Sequence, residues 1–549
     1  MEVLGLVPTP IRLGRRTFLM TAAGGLTVLA APGILRPTPR AWAEAGDGQN
    51  LARVLIRRGD SSVDAPTITV SGDGEFAVAD GNGELLFKAP NRRQVTVGRE
   101  GDAFWVDDGA GQKKTGLTGP IRVNGTGDGA PLRNQSTSSG DPTPYRGTLE
   151  VTASPENRVA LVNVLGLEEY LYGVVTKELP ALFGPEPLKA QAVAARTYTL
   201  SRREQAPHKA QSADVCDTQH CQAFGGFTGE HAAGRAAVDA TRGKVLSING
   251  SLFQPLYASA CGGHTETAAR IYGNEDGGGS DAVPDGELPG GISLASDDGA
   301  MKFYKATWDS YCAGSDKYRW SYSWDQEQLK AIVAAGIQRF RGSQTVASSE
   351  SDAKVEMLEG VTVTERGPSG RALAVRFEAP GVSWTVKRDW GIRNFLRTPD
   401  GSLLPSSAIA LDVERDAEKK LVKVTAYGAG WGHGAGLCQW GTKGLAARGM
   451  SYEAILGHYF PSAELGDADT GSRSALPVPA PLPPAAPKPE PTHETKSASD
   501  PKPVPSAPTA PNPPNLIPPP RTTSSPASAP STTTPSVLPG LNTPLLFPR

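Results

Sequence analysis

Carboxylates, thiols, imidazoles and indoles fall into a few short stretches of this chain, and their spacing suits proton transfer, metal binding and ring stacking. The densest stretch runs from Glu168-Glu169-Tyr170 to Lys177-Glu178-Leu179-Pro180. After a break, it resumes as Pro187-Leu188-Lys189-Ala190-Gln191-Ala192-Val193-Ala194-Ala195-Arg196-Thr197-Tyr198. Glu168 and Glu169 fall at a helix start, where carboxylates suit the dipole. Lys189 and Arg196 lie two turns apart on a helix whose alanines permit close packing. Such cations need nearby carboxylates, a polyanionic or sugar ligand, or a solvated face.

A second stretch is Gly430-Trp431-Gly432-His433-Gly434-Ala435-Gly436-Leu437-Cys438-Gln439-Trp440-Gly441. Its glycines let a backbone approach a ligand, and Trp431 and Trp440 offer flat faces for sugar rings. No Lys-Ser/Thr pair follows, so a phosphate cradle is disfavoured. His433 either orients a substrate or bonds to backbone. In a third stretch, Cys216, His220 and Cys221 approach zinc-ligand spacing but fall short of four ligands. The alternative there is a disulfide. His264, in Gly262-Gly263-His264-Thr265-Glu266, is a further possible ligand.

The elements that must position these groups can be read from periodicity. Leu161 to Leu165 reads as a strand, Leu167 to Leu179 has helical spacing, and Pro187 suits the first turn of a second helix. Residues 50–145 read as a β-rich region with Gly-rich turns, including strands at Ala52 to Ile56, Thr67 to Val70 and Ala103 to Val106. Glu356 to Phe377 reads as a hairpin around Gly367-Pro368-Ser369-Gly370, and Asp325 to Phe340 as a helix. The fold class expected is α+β, with strands outnumbering helices.

The 549 residues carry a formal charge of -2, which excludes a global electrostatic footprint for nucleic acid. The five cysteines are an odd number in a long chain, which excludes a disulfide scaffold of the small secreted kind and leaves at least one free, metal-bound or paired elsewhere. Gly14-Arg15-Arg16-Thr17-Phe18-Leu19-Met20, a short apolar run and small-residue sites near Ala43 resemble a twin-arginine signal peptide over 1–45. That predicts export to the periplasm or cell wall and no transmembrane anchor after cleavage. A mixed α+β domain is expected over 146–465, with residues 466–549 a Pro/Ala/Ser/Thr-rich tail whose composition predicts disorder.

Taken in order, these motifs resemble the SpoIID/LytB family. The resemblance rests on Glu169 through Glu178-Leu179-Pro180 to Tyr198; Cys216-Asp-Thr-Gln-His220-Cys221-Gln; Tyr257-Ala-Ser-Ala-Cys261-Gly-Gly-His264-Thr-Glu266; Glu365-Arg-Gly-Pro-Ser-Gly-Arg371; and Gly430 to Gly441. It covers about residues 150–465. The family implies a peptidoglycan lytic transglycosylase that cuts glycan strands between N-acetylmuramic acid and N-acetylglucosamine, plausibly strands free of stem peptides, with Glu178 as the catalytic acid. The chemistry needs only one carboxylate, because the sugar's own C6 hydroxyl is the nucleophile where a hydrolase would use a second carboxylate. The resemblance assigns Lys189 and Arg196 to substrate binding and to positioning Glu178. Tyr198, His433, Gln439, Trp431 and Trp440 complete the expected substrate-binding set.

No cofactor is required for that chemistry. Some relatives sharing the Cys-x4-Cys motif carry zinc, which makes Cys216, His220 and Cys221, with His264, the expected ligands. Cys261 and Cys438 stand where the family commonly has Ser or Thr, and a bond between them is a further possibility. The alternative function is a non-catalytic wall-binding enhancer of a cell-wall amidase.

Overall fold

The computed structural model describes residues 51–57, 64–126, 130–136, 142–273, 279–348, 355–468 and 473–476. The expected signal peptide, and all of the tail beyond 476, lie outside the described residues. Among the described residues, no helix is long and apolar enough to cross a membrane.

The architecture is α+β, as expected. A seven-stranded sheet runs in the order Val215–Cys216, Leu51–Ile56, Arg158–Gly166, Thr148–Ser154, Ile121–Gly125, Phe76–Ala79, Leu85–Ala89. Leu51–Ile56 pairs antiparallel with Arg158–Gly166, with Val54 opposite Asn163. The expected boundary at 145/146 is therefore not a seam. A strand at the start of the β-rich region lies in the same sheet as the strand that feeds the helix ending at Glu178, and one apolar core runs from Ala52 to Val238. Composition changes at that boundary, but the hydrogen-bond ladder and the buried face are continuous across it.

Arg158–Gly166 leads directly into helix α1, Leu167–Glu178, whose Glu169 carboxylate accepts the Gly166 N–H at 3.2 Å. Helix α2, Pro185–Gln205, begins two residues earlier than the sequence suggests, with proline in its first turn. This helix lies between two cores. Leu188, Ala192 and Ala195 join the sheet core, while Ala190, Val193 and Ala194 face a second core built around Leu437, Ile455, Tyr459 and Phe460. Small residues on both sides allow two layers to close on one helix.

The later part of the chain has its own core around Trp324, Trp384 and Phe395. Its hairpin pairs Gly360–Arg366 with Ala372–Ala379, and Val361 faces Phe377 in register. Helix Gln326–Arg339 starts at a capping box formed by Asp325 and Gln328. A short parallel pair, Tyr257–Ala258 with Leu437–Cys438, joins the Tyr257 motif to the Gly430–Gly441 motif. Strand Glu464–Asp467 pairs with both Lys244–Ile248 and Arg473–Ala475. Ordered chain thus continues past the expected boundary at 466, as far as the buried Leu476.

Candidate active site and metal centre

Glu178 is the last residue of α1. Pro180 disfavours a helical conformation in the residue before it, and Leu179 is accordingly extended at φ -129° and ψ 123°. The chain turns away there and leaves the Glu178 side chain half-buried. Its Oε1 accepts the Ala223 N–H at 2.5 Å, and the Tyr257 hydroxyl also hydrogen-bonds to the carboxyl. Burial pushes the Glu178 pKa above the usual carboxylate range, while the two hydrogen bonds partly oppose the rise by stabilising the anion. A carboxyl so placed can hold its proton until a leaving oxygen needs it.

The Tyr257 hydroxyl is itself fixed. It accepts from Gln222 Nε2 at 3.1 Å, which directs its own proton toward Glu178. Gln222 Oε1 in turn accepts from the Tyr170 hydroxyl at 3.1 Å, and its Nε2 also reaches the Ala195 carbonyl at 3.3 Å. Tyr170 and Gln222 are completely buried. Gln439 Nε2 donates to the Glu178 backbone carbonyl at 3.2 Å and to Gln191 Oε1 at 3.3 Å. Gln439 thus holds the backbone at Glu178 in place.

His433 binds backbone, the second of its two readings. Its Nδ1 accepts the Ala435 N–H at 3.1 Å, leaving Nε2–H to donate to the Tyr257 carbonyl at 2.9 Å. Burial holds the ring neutral, with its pKa pulled down to about 4. The glycines around it serve the protein's own packing. Gly430, Gly432, Gly434 and Gly436 all have positive φ, and a side chain at Gly434 or Gly436 would strike the Arg371 guanidinium or the Leu256 carbonyl.

The basic stripe of α2 is paired with the protein's own carboxylates. Arg196 is fully buried, forks onto both oxygens of Glu168 at 2.8 and 2.6 Å, and reaches the Lys244 and Val238 carbonyls. It is a strut between the first turn of α1 and the strand Lys244–Ile248. This corrects the substrate-binding expectation for Arg196 and gives Glu168 a role beyond the helix dipole. Lys189 pairs with Glu186 at 2.7 Å, and the other Glu186 oxygen accepts the Tyr452 N–H. Tyr198 is packing, at 7% exposure.

The two indoles differ in exposure, Trp431 open and Trp440 half-buried. Trp431 is 47% exposed, with the Lys317 ammonium 5.6 Å from its ring centre. Trp440 meets Phe183 edge to face at 4.9 Å, and the Lys443 ammonium lies 4.8 Å from the indole. Phe183 follows Glu178 closely in the chain, and Trp440 directly follows Gln439, whose Nε2 donates to the Glu178 carbonyl.

Cys216, His220 and Cys221 converge as expected, and His208 completes the set. The four ligand atoms lie within 4.8 Å of one another. His208 Nε2 is 3.3 Å from Cys221 Sγ, and His220 Nδ1 is 3.5 Å from Cys216 Sγ and 3.4 Å from Cys221 Sγ. A tetrahedral zinc with usual bond lengths sets sulfur and nitrogen roughly 3.5 Å apart, so the residues fit the metal. His264 is excluded from this group. Its Nδ1 lies 2.7 Å from the Thr265 carbonyl oxygen, and its backbone bridges to Pro284. The pattern His-x7-Cys-x3-His-Cys was present in the sequence, but His208 was not singled out because it precedes the cysteine pair.

Residues 155–247 match the model of the stage II sporulation protein SpoIID. Over this stretch the chain is similar to the SpoIID/LytB family. Members of that family are known or proposed cell-wall hydrolytic enzymes. The amidase enhancer of Bacillus subtilis (strain 168) is 29% identical over 322 residues, which is 54% of this chain and 40% of the enhancer. Stage II sporulation protein D of the same organism is 26% identical over 62% of this chain and 88% of its own length. An uncharacterised protein of Brachyspira hyodysenteriae is 26% identical over 56% of this chain and 68% of its own length. Residues 281–436 match a domain of unknown function. The SpoIID match holds Glu178, Gln222 and Ala223 but stops short of Tyr257, His433 and Gln439, so Glu178 is held from two parts of the chain.

Proposed function

We propose that this chain is a peptidoglycan lytic transglycosylase in which Glu178 protonates the glycosidic oxygen and then accepts the proton of the C6 hydroxyl. The observation that carries the reading is the environment of Glu178. The groups acting on its carboxyl are the Ala223 N–H and the Tyr257 hydroxyl, and neither is a second carboxylate. A single acid with a raised pKa suits a reaction whose nucleophile comes from the sugar. Trp440, Phe183 and Trp431 supply faces for saccharide rings. Zinc at His208, Cys216, His220 and Cys221 would act as a structural clamp, since Gln222 and Ala223 directly follow Cys221.

The test is Glu178→Gln, which keeps the shape of the side chain but cannot release a proton. Turnover on amidase-treated glycan strands is expected to fall by a factor on the order of 10² to 10⁴ with binding retained. Wild-type products should carry 1,6-anhydro-muramyl ends. Ends reducible by borohydride would mean hydrolysis. The similarity to an amidase enhancer supports a second reading, wall binding that stimulates an amidase. If the wild type releases no glycan fragments while Glu178→Gln stimulates an amidase as well as the wild type does, that reading replaces the first. Export through a twin-arginine signal belongs to either one. Replacing both Arg15 and Arg16 with Lys is expected to retain folded protein in the cytoplasm, and normal secretion would remove the assignment.

A further inference from the structure

Cys261, Asp285, Cys312 and Cys438 are completely or almost completely buried, and their ligand atoms lie within 4.8 Å of one another. They come from four separate segments. Cys261 follows the Tyr257–Ala258 strand, Asp285 and Cys312 lie inside the domain of unknown function, and Cys438 caps the helix Gln439–Ala447. We propose that these four residues form a second, structural zinc site, which fastens that domain to the paired segments that carry Tyr257 and Gln439 behind Glu178.

Three observations support the site. Cys261 Sγ and Cys312 Sγ are 3.8 Å apart, far longer than a disulfide and equal to the edge, roughly 3.8 Å, of a tetrahedron with zinc–sulfur bonds of about 2.3 Å. Cys438 Sγ accepts the backbone N–H groups of Cys261 at 3.2 Å and Gly441 at 3.3 Å, the arrangement that stabilises a thiolate. Asp285 Oδ2 accepts from the Cys312 N–H at 3.0 Å and the Ser310 hydroxyl at 3.1 Å, and Oδ1 accepts from the Tyr459 hydroxyl. Those bonds use three of its roughly four lone-pair directions and leave one for a metal.

Among the described residues, no Lys, Arg or His is ion-paired with Asp285. A buried carboxylate without a cation is costly, and a divalent ion supplies the missing charge. Three sulfurs and one oxygen in so small a space suit a single tetrahedral zinc and leave no room for an iron–sulfur cluster. Binding would release the thiol protons of the cysteines, so occupancy should fall in acid. The neighbouring Gly441 is required too, because a side chain there would strike Asp285 and the Tyr459 hydroxyl.

The experiment is zinc analysis and native mass spectrometry of the full chain, with non-reducing peptide mapping. Two zinc ions per chain are expected when the His208–Cys221 group is also filled. Cys312→Ala should lose one ion and Cys216→Ser with Cys221→Ser the other, so failure at one site is separable from failure at the second. Asp285→Asn is a milder variant if Cys312→Ala does not fold, and it should weaken retention of the same ion against a chelator at least tenfold. A zinc count unaffected by Cys312→Ala, or retention against a chelator unaffected by Asp285→Asn, in folded protein overturns the site. A covalent bond between any two of Cys261, Cys312 and Cys438 in the wild type does the same.

Discussion

Arg196 and Lys189 carry the same charge two helical turns apart, yet their surroundings give them different weight. Arg196 is fully buried against Glu168, which is itself mostly covered, whereas Lys189 and Glu186 are half-exposed at the protein edge. Removing one member of a buried pair strands the other, so Arg196→Met should lower stability by about 3 kcal/mol. Lys189→Ala should change it by less than about 1 kcal/mol. Denaturant titration of both variants separates these roles from substrate binding, which would instead raise KM in folded protein. Glu178 makes the reverse case, since its burial is unfavourable to the charged form. Its folded pKa is raised, so its contribution to stability is complete below the unfolded value and is lost as pH rises through the folded one. Above that folded pKa, Glu178→Gln should be at least as stable as the wild type, and the order should turn toward the wild type in acid. Thermal melts across pH check the sign. The activity of the wild type should also fall as pH rises through the same ionisation, because the acid must be protonated to react.

At the scale of elements, α1 shows what the sequence could and could not tell. Its span was legible from helical spacing after the preceding strand, and Glu178 was picked out by the family resemblance of the Glu178-Leu179-Pro180 motif. The Tyr257–Gln222–Tyr170 relay was not, because its members are far apart in the chain and meet only through the sheet and the Tyr257–Leu437 pairing. The role of Arg196 was misread for the same reason, since periodicity gives the face of a helix but not what covers it. Gly173 sits on α1 where a Cβ would lie 2.6 Å from the Phe224 ring and 2.8 Å from the Gly226 carbonyl oxygen. In an exposed helix Gly→Ala gains about 1 kcal/mol. Here overpacking of about 1–3 kcal/mol opposes that gain, and the carbonyl belongs to backbone that cannot swing aside. Gly173→Ala is therefore expected to destabilise the protein. It should also reduce turnover by displacing Ala223, next to Phe224, from Glu178. A variant more stable than the wild type in urea would show that this contact relaxes freely.

For the whole molecule, composition located the Pro-rich tail but placed its start ten residues too early to account for Leu476. The pair Glu464–Asp467 and Arg473–Ala475 adds the last strands to the Lys244–Ile248 sheet, and Leu476 packs into the core that also holds Cys438 and one side of α2. Polar and Gly residues in 466–472 mask this extension in the sequence. Leu476 is one apolar side chain, yet it covers a core shared with the helix behind the acid. Truncation after 476 removes only Pro/Ala/Ser/Thr-rich chain, which cannot build a core, and is expected to leave Tm unchanged. Truncation after 468 removes a strand and uncovers that core, at a cost of about 2 kcal/mol from the lost burial of Leu476 alone. For a domain of this size that corresponds to a fall in Tm of about 2–4 °C, or more if the strand Glu464–Asp467 frays once its partner is gone. Calorimetry of the two truncations decides between these views, and equal melting of both would mean that the last strand contributes nothing to the fold.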